Sequence, residues 1–161
     1  MGRAFVYGDN IDTDVLAPGA YMKFSIEEIA KHCFEAIDPR FATTVSAGDV
    51  VVGGRNFGMG SSREQAPQAL KHLGVTALIA ESFAGLFYRN ALNLGLVAVT
   101  CADVKRIHAG DEIDVDAEAG RITNHTRTEA YACEPIPPHL MQMVRDGGLM
   151  PHLEKRLKNS A

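Results

Sequence analysis

Gly54-Arg55-Asn56-Phe57-Gly58-Met59-Gly60-Ser61-Ser62-Arg63-Glu64-Gln65-Ala66-Pro67 follows an apolar run, Val50-Val51-Val52-Gly53, and leads into a helical pattern from Ala66 to Leu73. Strand, glycine-rich loop and helix in that order make a unit of parallel α/β architecture. Glycine admits positive φ and lets a backbone approach a ligand closely, which gives Gly58 and Gly60 a role as loop backbone. A helix opening at Ser61-Ser62 would point free N–H groups at the loop, and Arg63 adds a fork suited to a carboxylate or phosphate. The stretch reads as an anion site with a serine in it.

The flanking sequence repeats the pattern. Arg3 to Tyr7 is expected as a first strand and Asp49 to Gly53 as a strand buried on both faces. Val75 to Ala80 and Leu96 to Val99 are the next strands, separated by a helix from Phe83 to Leu94 with Ser82 as its cap. This succession implies crossovers and a partly parallel sheet. Ser25-Ile26-Glu27-Glu28 is a capping box opening a helix through Phe34. After Thr100, Glu112–Asp116 and Arg121–Asn124 alternate as an antiparallel pair turned by Ala119-Gly120. A helix from His139 to Asp146 and a helical tail from Pro151 to Leu157 close the chain. The expectation is a single domain over residues 1–161, α/β, with flanking helices and a small antiparallel portion.

Apolar content of 46%, charged content of 22% and a net charge of -4 are those of a soluble globular protein. Without a basic stripe, a nucleic-acid partner is not expected. No apolar stretch is long enough for a membrane span, and the N-terminus lacks the apolar core of a signal peptide. Cys33, Cys101 and Cys133 are far apart and form no CxxC pair, which fits reduced thiols in the cytoplasm and no metal or iron–sulfur site in this chain.

Ser61-Ser62-Arg63 stands where a Walker loop needs Gly-Lys-Ser/Thr, and Arg63 stands where a Rossmann fingerprint needs glycine. No glycine is spaced for a nucleophile elbow, and no histidine lies at an expected strand end near the loop, so a serine hydrolase is disfavoured. The plain alternative is that a serine caps the helix and Arg63 pairs with a nearby carboxylate.

The whole string, however, resembles the signature of the small subunits of aconitase-superfamily hydro-lyases, above all 3-isopropylmalate dehydratase in its compact archaeal-type form. Gly8-Asp9-Asn10-Ile11-Asp12-Thr13-Asp14, Ser82-Phe83-Ala84 through Phe87-Tyr88-Arg89-Asn90, and Asn93-Leu94-Gly95-Leu96 fit the same family in the same order. The resemblance implies a swivelling β/β/α domain docked over a separate large subunit, whose [4Fe–4S] cluster leaves one iron open to substrate. It implies dehydration and rehydration of a small hydroxy-dicarboxylate, 2- and 3-isopropylmalate in leucine synthesis, with no cofactor in this chain. The alternatives are a related acid (homoaconitate, a citraconate/malate-type acid or dimethylmalate) or a non-catalytic anion-binding domain.

By the same resemblance Ser61 is the base, Ser62 and Arg63 bind substrate carboxylate, and Asp14 orients Arg63 or the serine. Asp12 reads better as a turn acid. Tyr21-Met22-Lys23-Phe24 lies where the family reads the substrate's variable group. Lys23 and Phe24 replace an arginine and a threonine typical of the isopropylmalate enzyme, and lysine makes no bidentate contact. Met59 replaces a frequent cysteine and is read as packing. Gly85 replaces a frequent arginine.

Overall fold

The computed structural model describes residues 2–160. Seven strands form one sheet in the order β4-β3-β2-β1-β5-β6-β7. Its parallel half is β1 (Gly2–Val6), β2 (Val50–Val52), β3 (Ala77–Ala80) and β4 (Val97–Thr100). The antiparallel half is β5 (Glu112–Asp116), β6 (Arg121–Asn124) and β7 (Glu129–Ala132), joined to β1 through β5. The expected architecture is the observed one. The third antiparallel strand, β7, was not anticipated: Glu129-Ala130-Tyr131-Ala132 carries one large apolar residue and so has little alternation to read.

Side chains alternate across the strands into two cores. Val51, Leu78, Ala80 and Ala98 enter the first, with Leu16, Ile29, Phe34, Phe41, Phe57, Leu70 and Phe87. Val50, Val52, Ile79 and Val99 enter the second, with Ile113, Ile122, Tyr131, Ile136, Met141 and Val144. A strand buried on both faces needs an unbroken apolar run, which is what Val50-Val51-Val52 supplies. The sheet also curls: the N–H of Glu134, just past β7, donates to the carbonyl of Thr100, the last residue of β4, at 2.9 Å.

The helices are α1 (Thr13–Leu16), α2 (Ile26–Lys31), α3 (Phe41–Thr44), α4 (Gln65–His72), α5 (Gly85–Asn93), α6 (Pro138–Arg145) and α7 (Leu149–Ser160). Three expected boundaries are corrected. Ser25 does cap α2, accepting from the Glu28 N–H at 3.3 Å, but the helix stops at Lys31, short of Phe34. Phe34 takes φ +64°, donates its N–H to Val15 and stacks on Tyr7 at 4.1 Å, contacts a helical backbone would not allow.

The second correction concerns the signature itself. α4 starts at Gln65, not at Ser61-Ser62, and its N-cap Glu64 makes no side-chain cap. Pro67 fits its first turn, where a missing N–H costs no helical bond. Third, α5 starts at Gly85 behind Ala84, because the Ser82 hydroxyl accepts from the Asn56 N–H at 2.9 Å instead of capping the helix.

Candidate active site

The loops that leave β1, β2 and β3 emerge side by side at the carboxyl ends of parallel strands, where open α/β sheets form their crevices. The middle loop is laced to both neighbours. On one side Gly54 N donates to Gly8 O (3.0 Å), Asn10 N to Arg55 O (2.7 Å), Gly58 N to Ile11 O (2.7 Å) and Thr13 N to Met59 O (2.9 Å). On the other, Phe57 N donates to Ser82 O (3.0 Å) and Ala84 N to Phe57 O (2.9 Å). Phe57 is the anchor beneath, buried between Phe83 and Phe87.

Two glycines are dictated by this packing. Gly58 and Gly60 have φ of +85° and +91°. A Cβ at Gly58 would lie 2.1 Å from the Phe87 ring, and one at Gly60 would lie 2.7 Å from Asp12 Oδ1. Asp12 is thus more than a solvated turn acid. Its carboxylate lies under Gly60 and accepts from the Asp14 N–H at 2.7 Å, capping α1.

The segment then turns outward. The Ser61 and Ser62 side chains are exposed, and neither has a hydrogen-bond partner among the described residues. With α4 opening only at Gln65, neither serine caps it, and Ser61 lies outside the helical turn where the dipole is felt. Arg63 is held: its Nη1 donates to Asp14 Oδ1 at 2.6 Å and to the Ala17 carbonyl at 2.9 Å. The three N–H donors on its Nε and Nη2 have no hydrogen-bond partner among the described residues. The hydrogen bond from Arg63, and then that from the Gly19 N–H, hold the Asp14 carboxyl below its ordinary pKa. Ser62, Arg63, Thr13, Gly58 and Gly60 line one side of a cavity of about 170 Å³, and Ala84 to Phe87 and Asn90 line the other.

Sequence reading thus names Ser61, Ser62, Arg63, Asp14, Gly58 and Gly60; the fold gathers them within one loop cluster, with Ser62, Arg63, Gly58 and Gly60 on the cavity wall and Ser61 and Asp14 beside it. The Tyr21–Phe24 segment lies apart from the cavity wall. The Tyr21 ring stacks on His32 at 3.6 Å, Met22 packs partly against the first core, and Lys23 and Phe24 are exposed. The preceding Gly19 adjoins the clamp, beside Asp14 and Arg63. Met59, read as packing, is 37% exposed and so is not a core residue. Gly85 is exposed, with open space where a side chain would start.

Two residues of the site escaped the sequence reading. Asn90 lines the cavity from α5. Thr13 is buried at 2% exposure, and its hydroxyl donates to the Ser61 carbonyl at 2.7 Å. Its signal was a hydroxyl between two acids, in a segment that read as a turn.

Among the described residues no group of three His, Cys, Asp or Glu gathers to hold a metal. Cys33 lies in the first core and Cys101 and Cys133 in the second, and burial raises the pKa of all three thiols, that of Cys133 to about 11. These residues do not fit an iron–sulfur cluster. No described helix is long and apolar enough to cross a membrane.

Residues 18–104 match the family model of the aconitase C-terminal domain. The chain is 47% identical over 159 residues to the methanogen homoaconitase small subunit of Methanothermobacter thermautotrophicus, covering 97% of this chain and 91% of that one. It is 50% identical over 151 residues to the 3-isopropylmalate dehydratase small subunit 1 of Archaeoglobus fulgidus, covering 93% and 94%. The crystal structure of a 3-isopropylmalate dehydratase from Methanocaldococcus jannaschii matches with a TM-score of 0.93 at 40% identity, over 99% of this chain and 95% of that one. Likeness along nearly the whole of each relative makes the chain a member of the aconitase C-terminal-domain family, on its branch of isopropylmalate dehydratase and isomerase small subunits.

Proposed function

We propose that residues 1–161 act as one mobile domain, the small subunit of a cytoplasmic hydro-lyase that interconverts 2- and 3-isopropylmalate by dehydration and rehydration. The observation that carries this reading is the arrangement at Arg63. One guanidinium nitrogen is committed to Asp14 and Ala17, while three N–H donors remain open beside two exposed serines. A substrate carboxylate is planar and bidentate, and that is the geometry an arginine fork accepts.

In this reading Arg63 and Ser62 hold a carboxylate, and Ser61 takes the proton from the carbon next to the one that loses hydroxide. The alkene formed is rehydrated with the hydroxyl on the adjacent carbon, and Ser61 returns the proton, so the overall change is an isomerisation. A free serine is far too weak an acid to be a resting alkoxide, so the environment in the assembled enzyme has to favour the deprotonated form. The cationic Arg63 nearby acts in that direction. A [4Fe–4S] cluster, which would be held by the large subunit and not by this chain, would supply the Lewis acid for the departing hydroxyl. Three buried, unpaired thiols suit a reducing compartment.

The test is Ser61→Ala in the complex reconstituted with the large subunit: kcat falls by at least about a thousandfold if Ser61 is the base, the scale lost with a unit of catalytic machinery. A retained rate rules the base out. A second reading keeps the chemistry and changes the acid, because a relative of 47% identity is named a homoaconitase small subunit. A substrate panel comparing wild type with Lys23→Arg decides it: homoaconitate turned over faster than isopropylmalate replaces the first assignment, and an unchanged preference in the variant removes Lys23 from specificity.

A further inference from the structure

We propose that Thr13 is a positioning residue for Ser61, acting through the Ser61 carbonyl; this rests on the reading of Ser61 as the base. Residues 11–14 run alongside residues 58–63 and grip them in register. Ile11 O accepts from Gly58 N, and Thr13 N donates to Met59 O. The Asp12 carboxylate lies under Gly60, the Thr13 hydroxyl binds the Ser61 carbonyl at 2.7 Å, and Asp14 binds Arg63. Of these contacts, the Thr13 hydroxyl alone reaches Ser61 directly.

The exposed serines have no side-chain partners of their own among the described residues, and α4 begins only at Gln65, so no helical hydrogen bond orders Ser61 either. In a planar trans peptide the carbonyl and the following N–H point in opposite directions. Fixing the Ser61 carbonyl against Thr13 therefore aims the Ser62 N–H away from it and holds ψ of Ser61, which sets where the Ser61 Cα–Cβ bond stands relative to the loop. Thr13 is itself immobile: it is 2% exposed, its N–H is bonded to Met59, and its β-branch restricts χ1. The hydroxyl supplies an anchor without charge, so it leaves the proton affinity of Ser61 to Arg63 and the substrate.

The experiment uses the reconstituted two-subunit enzyme. Thr13→Val keeps shape and removes the donor. It is expected to lower kcat about tenfold to a hundredfold with KM nearly unchanged, the scale of an ångström-sized misplacement. Thr13→Ser, which keeps the hydroxyl, restores kcat to within about threefold. Thr13→Val in the Ser61→Ala background costs nothing further, since residues acting as a unit are not additive. Thr13→Ala, which inserts no bulk, and the thermal midpoint of each variant separate misplacement from misfolding.

A wild-type kcat for Thr13→Val beside an inactive Ser61→Ala overturns the positioning role and leaves the serine reading standing. A full additive loss in the double variant, or equal loss in Thr13→Ser and Thr13→Val, overturns it as well. A wild-type kcat for Ser61→Ala overturns both.

Discussion

At Arg63 the bonds that hold the side chain and the bonds it can still form fall on different nitrogens. Nη1 serves Asp14 and Ala17, and the rest of the fork has no hydrogen-bond partner among the described residues. Asp14→Asn keeps the shape and removes the charge, and the Asp14 side chain is 61% exposed, so the loss is that of a screened pair. We expect kcat/KM to fall about tenfold, chiefly through KM, with complex formation retained. Because its folded pKa lies below 3.8, the pair is intact above the ordinary carboxylate range and is lost only as pH falls through that lowered value. An activity loss near pH 5 in wild type would therefore come from another group. His32 behaves oppositely. Its Nδ1 lies 2.8 Å from Glu35 and its Nε2 3.5 Å from Glu28, and the hydrogen bond to Glu35, followed by the pull of both carboxylates, raises its pKa above 6.5. Its contribution is complete below that value and fades as pH rises through the folded pKa. The stability gap between wild type and His32→Asn, read from thermal midpoints, should narrow between pH 6 and pH 9. The residues of the clamp were legible because arginine, aspartate and serine announce their chemistry. Thr13 was not, since a single hydroxyl reveals its partner only when the fold brings position 61 beside position 13.

Among the elements, the signature loop owes its shape to aromatic packing beneath and glycine above. Phe57 is 1% exposed in the first core, and Phe57→Ala should cost about 3–5 kcal/mol in denaturant unfolding and disorder the loop it anchors. Gly58→Ala combines positive φ with a clash against Phe87, and it should destabilise the chain and reduce activity together. Strands were readable from their β-branched runs and glycine stops, helix interiors from their period. Helix starts were less so, and for one reason: Ser61 and Ser82 look like caps, but one faces solvent and the other binds the Asn56 N–H. A serine before a helical pattern has several suitable partners, and the tertiary structure chooses between them.

For the molecule as a whole, two cores on opposite faces of one sheet divide the work. The loop cluster rests on the first, while Ile122 lies in the second and is fully buried. Ile122→Ala should cost about 2–5 kcal/mol, a large share of a domain's stability, yet leave kcat of the folded complex near wild type at low temperature. Loss of kcat equal to that of Phe57→Ala would show the cores to be coupled. The architecture was legible because strand–helix–strand order constrains topology strongly. The curl of the sheet was not, since the bond from Glu134 to Thr100 joins segments from opposite ends of the strand order. That bond bears on how the chain behaves on its own. Open outer strands offer unpaired peptide groups on which other chains can polymerise. Here the outermost strands, β4 and β7, are drawn toward each other at one end and satisfy part of that capacity internally. The curl thus limits edge-to-edge, fibrous self-assembly of the chain on its own.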